Sequence, residues 1–269
     1  MSLEQLQGVV YGPHSYRADP EKMSEYAASV GATRHPDLAP PSIAGALLFV
    51  VAPHLLADPR AGTATRSVIH GDQTFRWDRG IPLGAELEVT GTVGRVRERN
   101  GVYFTVFELE VSDRRGPILA GTSTFLMSGG TPPAGGGAER DEPAPTAGSV
   151  VEVTGSLGEE RSSLGRFAAS RADLIRYAGA SRDWNPIHWD HAAAVAAGLP
   201  GVVVHGLLQS AWVIEAAAVF GIEPKSARFR YRRPLAAGVV ADLVGERRDG
   251  VATLELTDDE GPFLVATVD

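Results

Sequence analysis

The sequence predicts an α+β protein made of two tandem units, each an antiparallel sheet wrapped around one long apolar helix. Three observations lead to this fold class. Two apolar runs, ending at Leu56 and Phe220, have the length and composition of buried helices. Each run is followed by segments rich in β-branched and aromatic residues, which is typical of strands. The same short motifs also recur in the same order in both halves of the chain.

The duplication is visible in five pairs of segments. They are residues 17–19 with 171–173, 26–28 with 177–179, 40–47 with 201–208, 75–79 with 229–233, and 113–122 with 258–267. Each pair alone has little weight, but five pairs in one order indicate a duplicated fold. A long apolar helix beside antiparallel strands favours a sheet that wraps the helix, and two such units would pair edge to edge.

A segment rich in Gly, Pro, Ala and charge, residues 128–149, separates the halves. Because it has almost no large apolar side chain to bury, we expect a flexible linker. The predicted domains are therefore an N-terminal unit at 1–127 and a C-terminal unit at 150–269.

We expect strands in both units at the segments rich in strand-forming residues. In the first unit these are residues 72–77, 86–97, 102–112 and 118–126; in the second they are 227–233, 239–247, 251–257 and 263–268. Asn100-Gly101 and Asp249-Gly250 predict tight hairpin turns.

Composition excludes several classes of function. The net charge of −8 argues against nucleic acid or an anionic membrane as the main partner. The absence of cysteine excludes disulfides, thiolate metal sites and a cysteine nucleophile. The first residues lack a basic region followed by an apolar core, so no signal peptide is predicted. The longest apolar run falls short of the roughly 20 residues of a membrane span. We therefore expect a cytoplasmic protein.

The segment from Asp183 to His188, Asp-Trp-Asn-Pro-Ile-His, predicts a functional loop. Asn185 favours a turn and Pro186 fixes its own φ, so the loop is stiff and can hold a carboxylate and an imidazole on one side. Downstream, His205-Gly206 opens the long apolar helix of the second half. The first turn of a helix has free N–H groups and the positive end of the dipole. A carbonyl oxygen there, beside an acid and a base, suits addition or removal of water across an adjacent double bond.

The first half lacks this polar loop. Its corresponding segment, residues 29–39, has neither the Asp-x-Asn-Pro-x-His arrangement nor the Ala-rich stretch of residues 192–197. We therefore expect one site per chain, in the second half.

These motifs closely resemble the signature of the MaoC-like (R)-specific enoyl-CoA hydratases and dehydratases. The first half resembles the degenerate N-terminal domain of double-hotdog members, including its Pro-Pro-x-Ile-Ala-Gly segment. The resemblance implies a double hotdog fold and reversible hydration of a trans-2-enoyl thioester to the (R)-3-hydroxyacyl thioester. It also implies roles for four residues: Asp183 and His188 as the catalytic pair, Asn185 as the residue that orients the loop, and Gly206 as the amide that binds the thioester oxygen.

By the same resemblance the first half shapes the acyl-chain pocket and contributes no catalytic residue. The implied partner is an acyl thioester of coenzyme A or of acyl-carrier protein. No metal, other cofactor, nucleic acid or membrane is expected, and a homodimer is plausible. Acyl-chain length, the carrier and the physiological direction stay open.

Other interpretations of the same residues stay open from sequence alone. Asp183 and His188 are alternatively turn and capping residues, and His205 is as well explained by packing as by contact with substrate. Trp184 and Trp189 either wall the acyl pocket or simply pack. Arg228, Arg230 and Arg232 share one strand face, which is more typical of a solvated surface than of a phosphate site. Other functions are a hotdog thioesterase, since fold alone does not fix activity, and a non-catalytic acyl-binding subunit.

Overall fold

The computed structural model describes residues 3–33, 35–129 and 148–269. Its strands form one eleven-stranded sheet in the order β1-β3-β4-β5-β2-β8-β11-β10-β9-β7-β6, and every pairing is antiparallel. The first five strands belong to the first half of the chain and the last six to the second. This arrangement confirms the α+β, double hotdog class.

Among its described residues the first half contains two α-helices and five strands. They are β1 (Val10–Arg17), α1 (Pro20–Val30), α2 (Ala44–Leu56), β2 (Ser67–Trp77), β3 (Glu86–Arg99), β4 (Val102–Asp113) and β5 (Gly116–Ser128).

The second half repeats this plan with one more helix and one more strand. Its elements are β6 (Val150–Val153), β7 (Ser162–Ala168), α3 (Arg171–Ser181), α4 (His191–Ala196), α5 (Gly206–Val219), β8 (Ser226–Tyr231), β9 (Ala241–Arg248), β10 (Val251–Asp258) and β11 (Gly261–Val268).

The halves join at the pairing of β2 with β8, as the predicted edge-to-edge arrangement requires. Gln73 lies opposite Phe229 and Phe75 opposite Ala227. The rings of Phe75 and Phe229 meet on the buried face, with centroids 6.4 Å apart. On the exposed face Arg230 Nε donates to Asp72 Oδ1 at 3.0 Å. The core is therefore continuous across the two halves.

The central helices α2 and α5 meet near their N-terminal ends. A Cβ added to Gly45 in α2 would lie 3.4 Å from Leu207 Cβ in α5. At Gly206 an added Cβ would come within 3.0 Å of the Tyr231 ring, which is too close without movement. Glycine thus allows the start of α5 to lie close to Tyr231 of β8, beside the β2–β8 junction between the halves.

The strand predictions were right in position but incomplete. All eight predicted strands are present, with ends shifted by up to five residues, and both hairpin turns have the positive φ angles of their type, for example 53° at Asn100 and 79° at Gly101. Strands β1, β6 and β7 were not predicted. The predicted linker falls mostly, at residues 130–147, outside the described residues, so the domain boundaries stay predictions.

No single helix in the described ranges is long and apolar enough to cross a membrane. One pair of helices, Pro41–Leu56 and Pro59–Arg66, is long and apolar enough when the two are taken together, but the pair is bent by 111°.

Candidate active site

The predicted functional loop begins where α3 ends. Arg182 adopts a left-handed conformation with φ 68°, and its N–H bonds the carbonyl of Ala178, which terminates the helix. The Asp183 N–H then donates to Ser181 Oγ at 3.2 Å. Next, the Asn185 side chain accepts from the Ile187 N–H at 3.4 Å, and Pro186 opens a short 3₁₀ turn that ends at His188. Hydrogen bonds therefore fix the loop both where it leaves α3 and where it ends in the 3₁₀ turn.

This loop brings Asp183 and His188 together. A carboxylate oxygen of Asp183, a ring nitrogen of His188 and a ring nitrogen of His205 all lie within 4.8 Å of one another. Asp183 and His188 are 8% and 7% exposed, so both keep a small accessible surface, whereas His205 is fully buried. The predicted catalytic pair is therefore assembled, and a third residue, His205, lies beside it.

A backbone carbonyl holds the His188 ring. His188 Nδ1 lies 2.8 Å from the Val203 oxygen, and only a protonated Nδ1 can donate to that acceptor. The tautomer that results leaves the Nε2 lone pair free in the neutral ring. The ring also stacks on His205, with centroids 3.8 Å apart and planes 23° from parallel. His188 is thus oriented as a base by two contacts that do not involve Asp183.

Burial pushes both members of the pair towards their neutral forms. It raises the pKa of Asp183, opposed by the nearby His188 and by the Asn185 N–H, which donates to Asp183 Oδ1 at 3.3 Å. It lowers the pKa of His188, opposed by Asp183 and the Val203 carbonyl. Because the two groups interact, they titrate as one unit. When both groups are neutral, the Asp183 carboxyl carries a proton that it can donate, and His188 Nε2 has a lone pair that can accept one.

His205 fastens the start of α5 to the loop. Its Nε2 donates to the backbone oxygen of Asp183 at 3.2 Å, and its ring meets the edge of Tyr177 at a centroid distance of 4.8 Å. Burial, and then the proximity of His188, hold the pKa of His205 well below its usual range. A neutral histidine packed on three sides agrees with the packing interpretation of this residue.

Gly206 is the first residue of α5, directly after His205. No residue in the described ranges accepts a hydrogen bond from its N–H, as expected in the first turn of a helix. Since the His205 ring stacks on His188, this helix start adjoins the Asp183–His188 pair. The oxyanion role of Gly206 and the orienting role of Asn185 agree with these positions and stay predictions.

The three clustered side chains do not suit a metal ion. The rings of His188 and His205 are stacked, so their in-plane lone pairs run side by side and do not converge on one point. His188 Nδ1 and His205 Nε2 are also engaged with backbone oxygens. Ligands of a bound metal should converge at about 2.0–2.2 Å. The arrangement favours proton transfer over coordination.

The first half has a different hydrogen bond at the position that corresponds to the His188 contact. Tyr26, the counterpart of Tyr177, donates its hydroxyl to the Ser42 oxygen at 2.7 Å. In the alignment of residues 40–47 with 201–208, Ser42 corresponds to Val203. In the second half His188 therefore bonds the carbonyl that tyrosine bonds in the first. Corresponding backbone carbonyls thus accept from different side chains in the two halves, a tyrosine hydroxyl in the first and the imidazole of the candidate pair in the second.

The remaining predicted residues lie apart from the pair. Trp184 and Trp189 are 55% and 38% exposed, and the indole N–H of Trp189 bonds the Trp184 oxygen at 3.3 Å. Asp190 caps α4 by accepting from the Ala193 N–H. The alternating arginines lie on an exposed face: Arg228, Arg230 and Arg232.

A cleft of about 330 Å³ adjoins the site without including the pair. Arg171, His191 and Val202 line it, together with small residues around Gly201 and Gly238. Val202 is followed by Val203, whose oxygen accepts from His188, so the cleft lies next to the segment that orients the imidazole.

Sequence reasoning missed several residues around the pair. The Val203 carbonyl carries no sequence signal, because every residue has one. Tyr177 could have been found from the duplicated tyrosine alone. Ser210 and Tyr231, whose hydroxyls lie 2.7 Å apart, come together only through the packing of α5 on β8.

The comparisons with known proteins agree with this geometry. The family model for the MaoC like domain matches residues 152–240, which include the loop and the start of α5. A UPF0336 protein of Streptomyces coelicolor is 33% identical over 144 residues, covering 48% of this chain and 96% of the relative. The chain belongs to the MaoC-like family. A solved structure described as a MaoC-like dehydratase superposes with a TM-score of 0.79 at 20% identity, covering 99% of this chain and 98% of that one.

Three further solved structures resemble this MaoC-like protein in fold over nearly its whole length. HtdX of Mycobacterium tuberculosis has a TM-score of 0.73 at 24% identity, covering 97% of this chain and 99% of that one. A second M. tuberculosis protein, described as having a double hotdog fold, has a TM-score of 0.65 at 12% identity, covering 100% and 97%. An acyl-ACP thioesterase of Bacteroides thetaiotaomicron shares the fold less closely, with a TM-score of 0.58 at 15% identity and coverage of 100% and 99%. The fold is therefore common to proteins of different described activity.

Proposed function

We propose that this MaoC-like protein catalyses reversible hydration of a trans-2-enoyl thioester to the (R)-3-hydroxyacyl thioester. One observation carries the proposal: Asp183 and His188 meet beside the start of α5, with the His188 tautomer fixed by the Val203 oxygen. The substrate class is an acyl thioester of coenzyme A or of acyl-carrier protein, and we place the reaction in the cytoplasm.

The proton balance of the reaction suits a pair that holds one proton. In hydration, water adds through its oxygen to Cβ and gives up a proton, while Cα gains one. The unprotonated Nε2 of His188 accepts the proton from water, and the carboxyl of Asp183, whose pKa is raised by burial, donates its proton to Cα. One proton enters and one leaves, so the pair returns to its starting state after proton exchange. Dehydration follows the same steps in reverse.

The start of α5 supplies the second requirement. As water adds, negative charge develops on the thioester oxygen, and a fixed N–H donor lowers the energy of that state. The free N–H of Gly206, at the positive end of the helix dipole, has the right chemistry. A Cβ at residue 206 would lie 3.0 Å from the Tyr231 ring, so a larger residue would require the ring or the helix start to shift.

The test is loss of the conjugated thioester absorbance when the protein is mixed with trans-2-enoyl-CoAs of several chain lengths. We expect Asp183→Asn and His188→Ala each to lower kcat/KM by roughly 10²–10⁴, the usual contribution of a general acid or base.

Matched controls make the same changes outside the site. Asp190→Asn keeps the cap of α4, and His54→Ala alters an exposed residue stacked on His14, so both should keep wild-type activity. Full activity in both site variants would refute the mechanism. Release of free thiol without loss of the double bond would show a thioesterase, and activity that appears only on adding a partner chain would show a binding subunit.

A further inference from the structure

A polar cluster lies inside the sheet at the seam between the halves. His70 and Gln73 of β2 and Ser123 of β5 come from the first half, and Ser210 of α5 and Tyr231 of β8 from the second. Gln73, Ser123 and Ser210 are almost completely buried, and His70 and Tyr231 are half-buried. Buried polar side chains cost free energy unless they are hydrogen-bonded, so five together on an inner face call for an explanation.

Hydrogen bonds fix the orientation of the first-half residues. The Gln73 Nε2 group donates to the Thr74 oxygen at 2.8 Å, so Gln73 Oε1 points the other way as an acceptor. Ser123 Oγ donates to this oxygen at 2.6 Å, and His70 Nε2 lies 3.1 Å from it. His70 must therefore carry its proton on Nε2 to donate. Burial lowers the pKa of His70 to about 4, opposed by the hydrogen bond to Gln73 and by the charge and backbone of Asp72, so the ring is neutral near pH 7. With the proton on Nε2, Nδ1 carries the lone pair that can accept.

The second-half residues provide a donor. The hydroxyls of Ser210 and Tyr231 lie 2.7 Å apart, and one of them donates to the other. The hydroxyl that accepts keeps its own proton for another acceptor. The Tyr231 ring packs against the His70 ring, with centroids 5.0 Å apart, and against Gly206 at the start of α5. The His70 ring and the Ser210–Tyr231 pair are therefore in contact through the Tyr231 ring, which also packs against the helix start that binds the thioester oxygen in the proposed function.

We propose that this seam cluster is a specificity site that binds an oxygen-bearing group, such as a hydroxyl, on the acyl chain of the substrate. The inference rests on the proposed function for the placement of the thioester. A chain hydroxyl can donate to His70 Nδ1 and accept from the Ser210–Tyr231 pair. A plain aliphatic chain would cover both groups without replacing their hydrogen bonds to water, which is unfavourable. Sites built for hydrogen bonding therefore discriminate against analogues that lack the polar group.

The experiment compares pairs of trans-2-enoyl-CoAs in which a hydroxyl replaces the terminal methyl, over short and medium chain lengths. For at least one length, we expect the wild type to have a kcat/KM roughly tenfold higher for the hydroxylated member, the effect of one hydrogen bond. Tyr231→Phe and His70→Leu should each bring that ratio close to one. Tyr11→Phe makes the same change at a hydroxyl that bonds Asp58, and it should leave the ratio unchanged.

Two variants from different strands keep the test decisive if one of them fails to fold. The proposal is overturned if the wild type prefers the aliphatic member at every length, or if the folded variants keep the wild-type ratio. Binding of the corresponding saturated acyl-CoAs, measured by calorimetry, separates this inference from the reaction. Preferential binding of the hydroxylated member without any hydration would refute the proposed function and leave the seam site standing.

Discussion

At the residue scale, the two halves differ in the side chain that bonds one corresponding backbone carbonyl. In the first half Tyr26 donates to the Ser42 oxygen, and in the second His188 donates to the Val203 oxygen. The exchange replaces a group that stays protonated with one whose other nitrogen is a base. The buried Tyr177 hydroxyl has no hydrogen bond of normal geometry in the described ranges; Tyr26 is its neighbour, and their ring centroids are 6.2 Å apart. In the second half the carbonyl is therefore bonded by the imidazole of His188, and the tyrosine hydroxyl is left without this acceptor.

The ionised Asp183 carboxylate should lower the stability of the folded protein. Burial raises its pKa in the folded protein above the unfolded value, so the ionised form is penalised by folding. The wild type should lose stability as pH rises from the unfolded pKa through the folded one. Asp183→Asn removes this loss and keeps the oxygen that accepts from Asn185, so we expect its free energy of unfolding near pH 7 to exceed that of the wild type.

Urea unfolding at several pH values measures this difference. The gain of Asp183→Asn over the wild type should shrink towards acidic pH, where the wild-type carboxyl is protonated. Asp190→Asn, an exchange between two good helix caps, should show no such gain. A variant at Asp183 that is less stable than the wild type near pH 7 would contradict the sign of the pKa shift.

The residues of the candidate site could be predicted from the sequence where they lie close together along the chain. Asp183, Asn185 and His188 lie within six residues, and Gly206 follows a recognisable helix start, so spacing alone located them. The Val203 carbonyl and the His70–Tyr231 contact depend on strand pairing between distant segments, which spacing does not encode. In the same way β6 and β7 were missed because Gly165 and the serines of β7 weaken its strand signal, and β7 is paired by the distant β9.

At the element scale, a buried carboxylate links the two central helices. Glu215 of α5 is 9% exposed, and its Oε1 accepts from the Ser42 N–H at 3.2 Å, in the turn that leads into α2. A negative group near the start of a helix also interacts favourably with its dipole. Burial raises the pKa of Glu215, and the hydrogen bond from Ser42 opposes this. The start of the first-half helix therefore depends on a residue from the second half.

Two substitutions separate the hydrogen bond from the charge. Glu215→Ala leaves the buried Ser42 N–H without an acceptor and should lower the free energy of unfolding by about 1–3 kcal/mol. Glu215→Gln keeps an acceptor and removes a buried charge, so its effect should be smaller than 1 kcal/mol. Urea denaturation measures both, with Glu223→Ala on the exposed surface as the control, expected within about 0.5 kcal/mol of the wild type. Equal losses in the Ala and Gln variants would show that the charge matters and the hydrogen bond does not.

At the scale of the whole molecule, the two halves form one structure. The β2–β8 pairing makes the sheet continuous, and buried residues from both halves belong to one core. The candidate site lies in the second half, but the seam cluster beside it draws His70, Gln73 and Ser123 from the first. In the functions proposed here, the second half supplies the pair that transfers protons, and the first half supplies part of the wall that faces the acyl chain.

This shared core predicts that the full chain unfolds in a single cooperative transition. In calorimetry the van't Hoff and calorimetric enthalpies should agree. Phe75→Ala and Phe229→Ala each remove one ring of the seam contact, from the first and second half respectively, and should cost about 3–5 kcal/mol. Because both rings stabilise the same unit, each variant should move the whole transition to lower temperature without splitting it. Two resolved transitions, with Phe75→Ala shifting one and Phe229→Ala the other, would show that the halves unfold independently and that the seam is only a contact between separate domains.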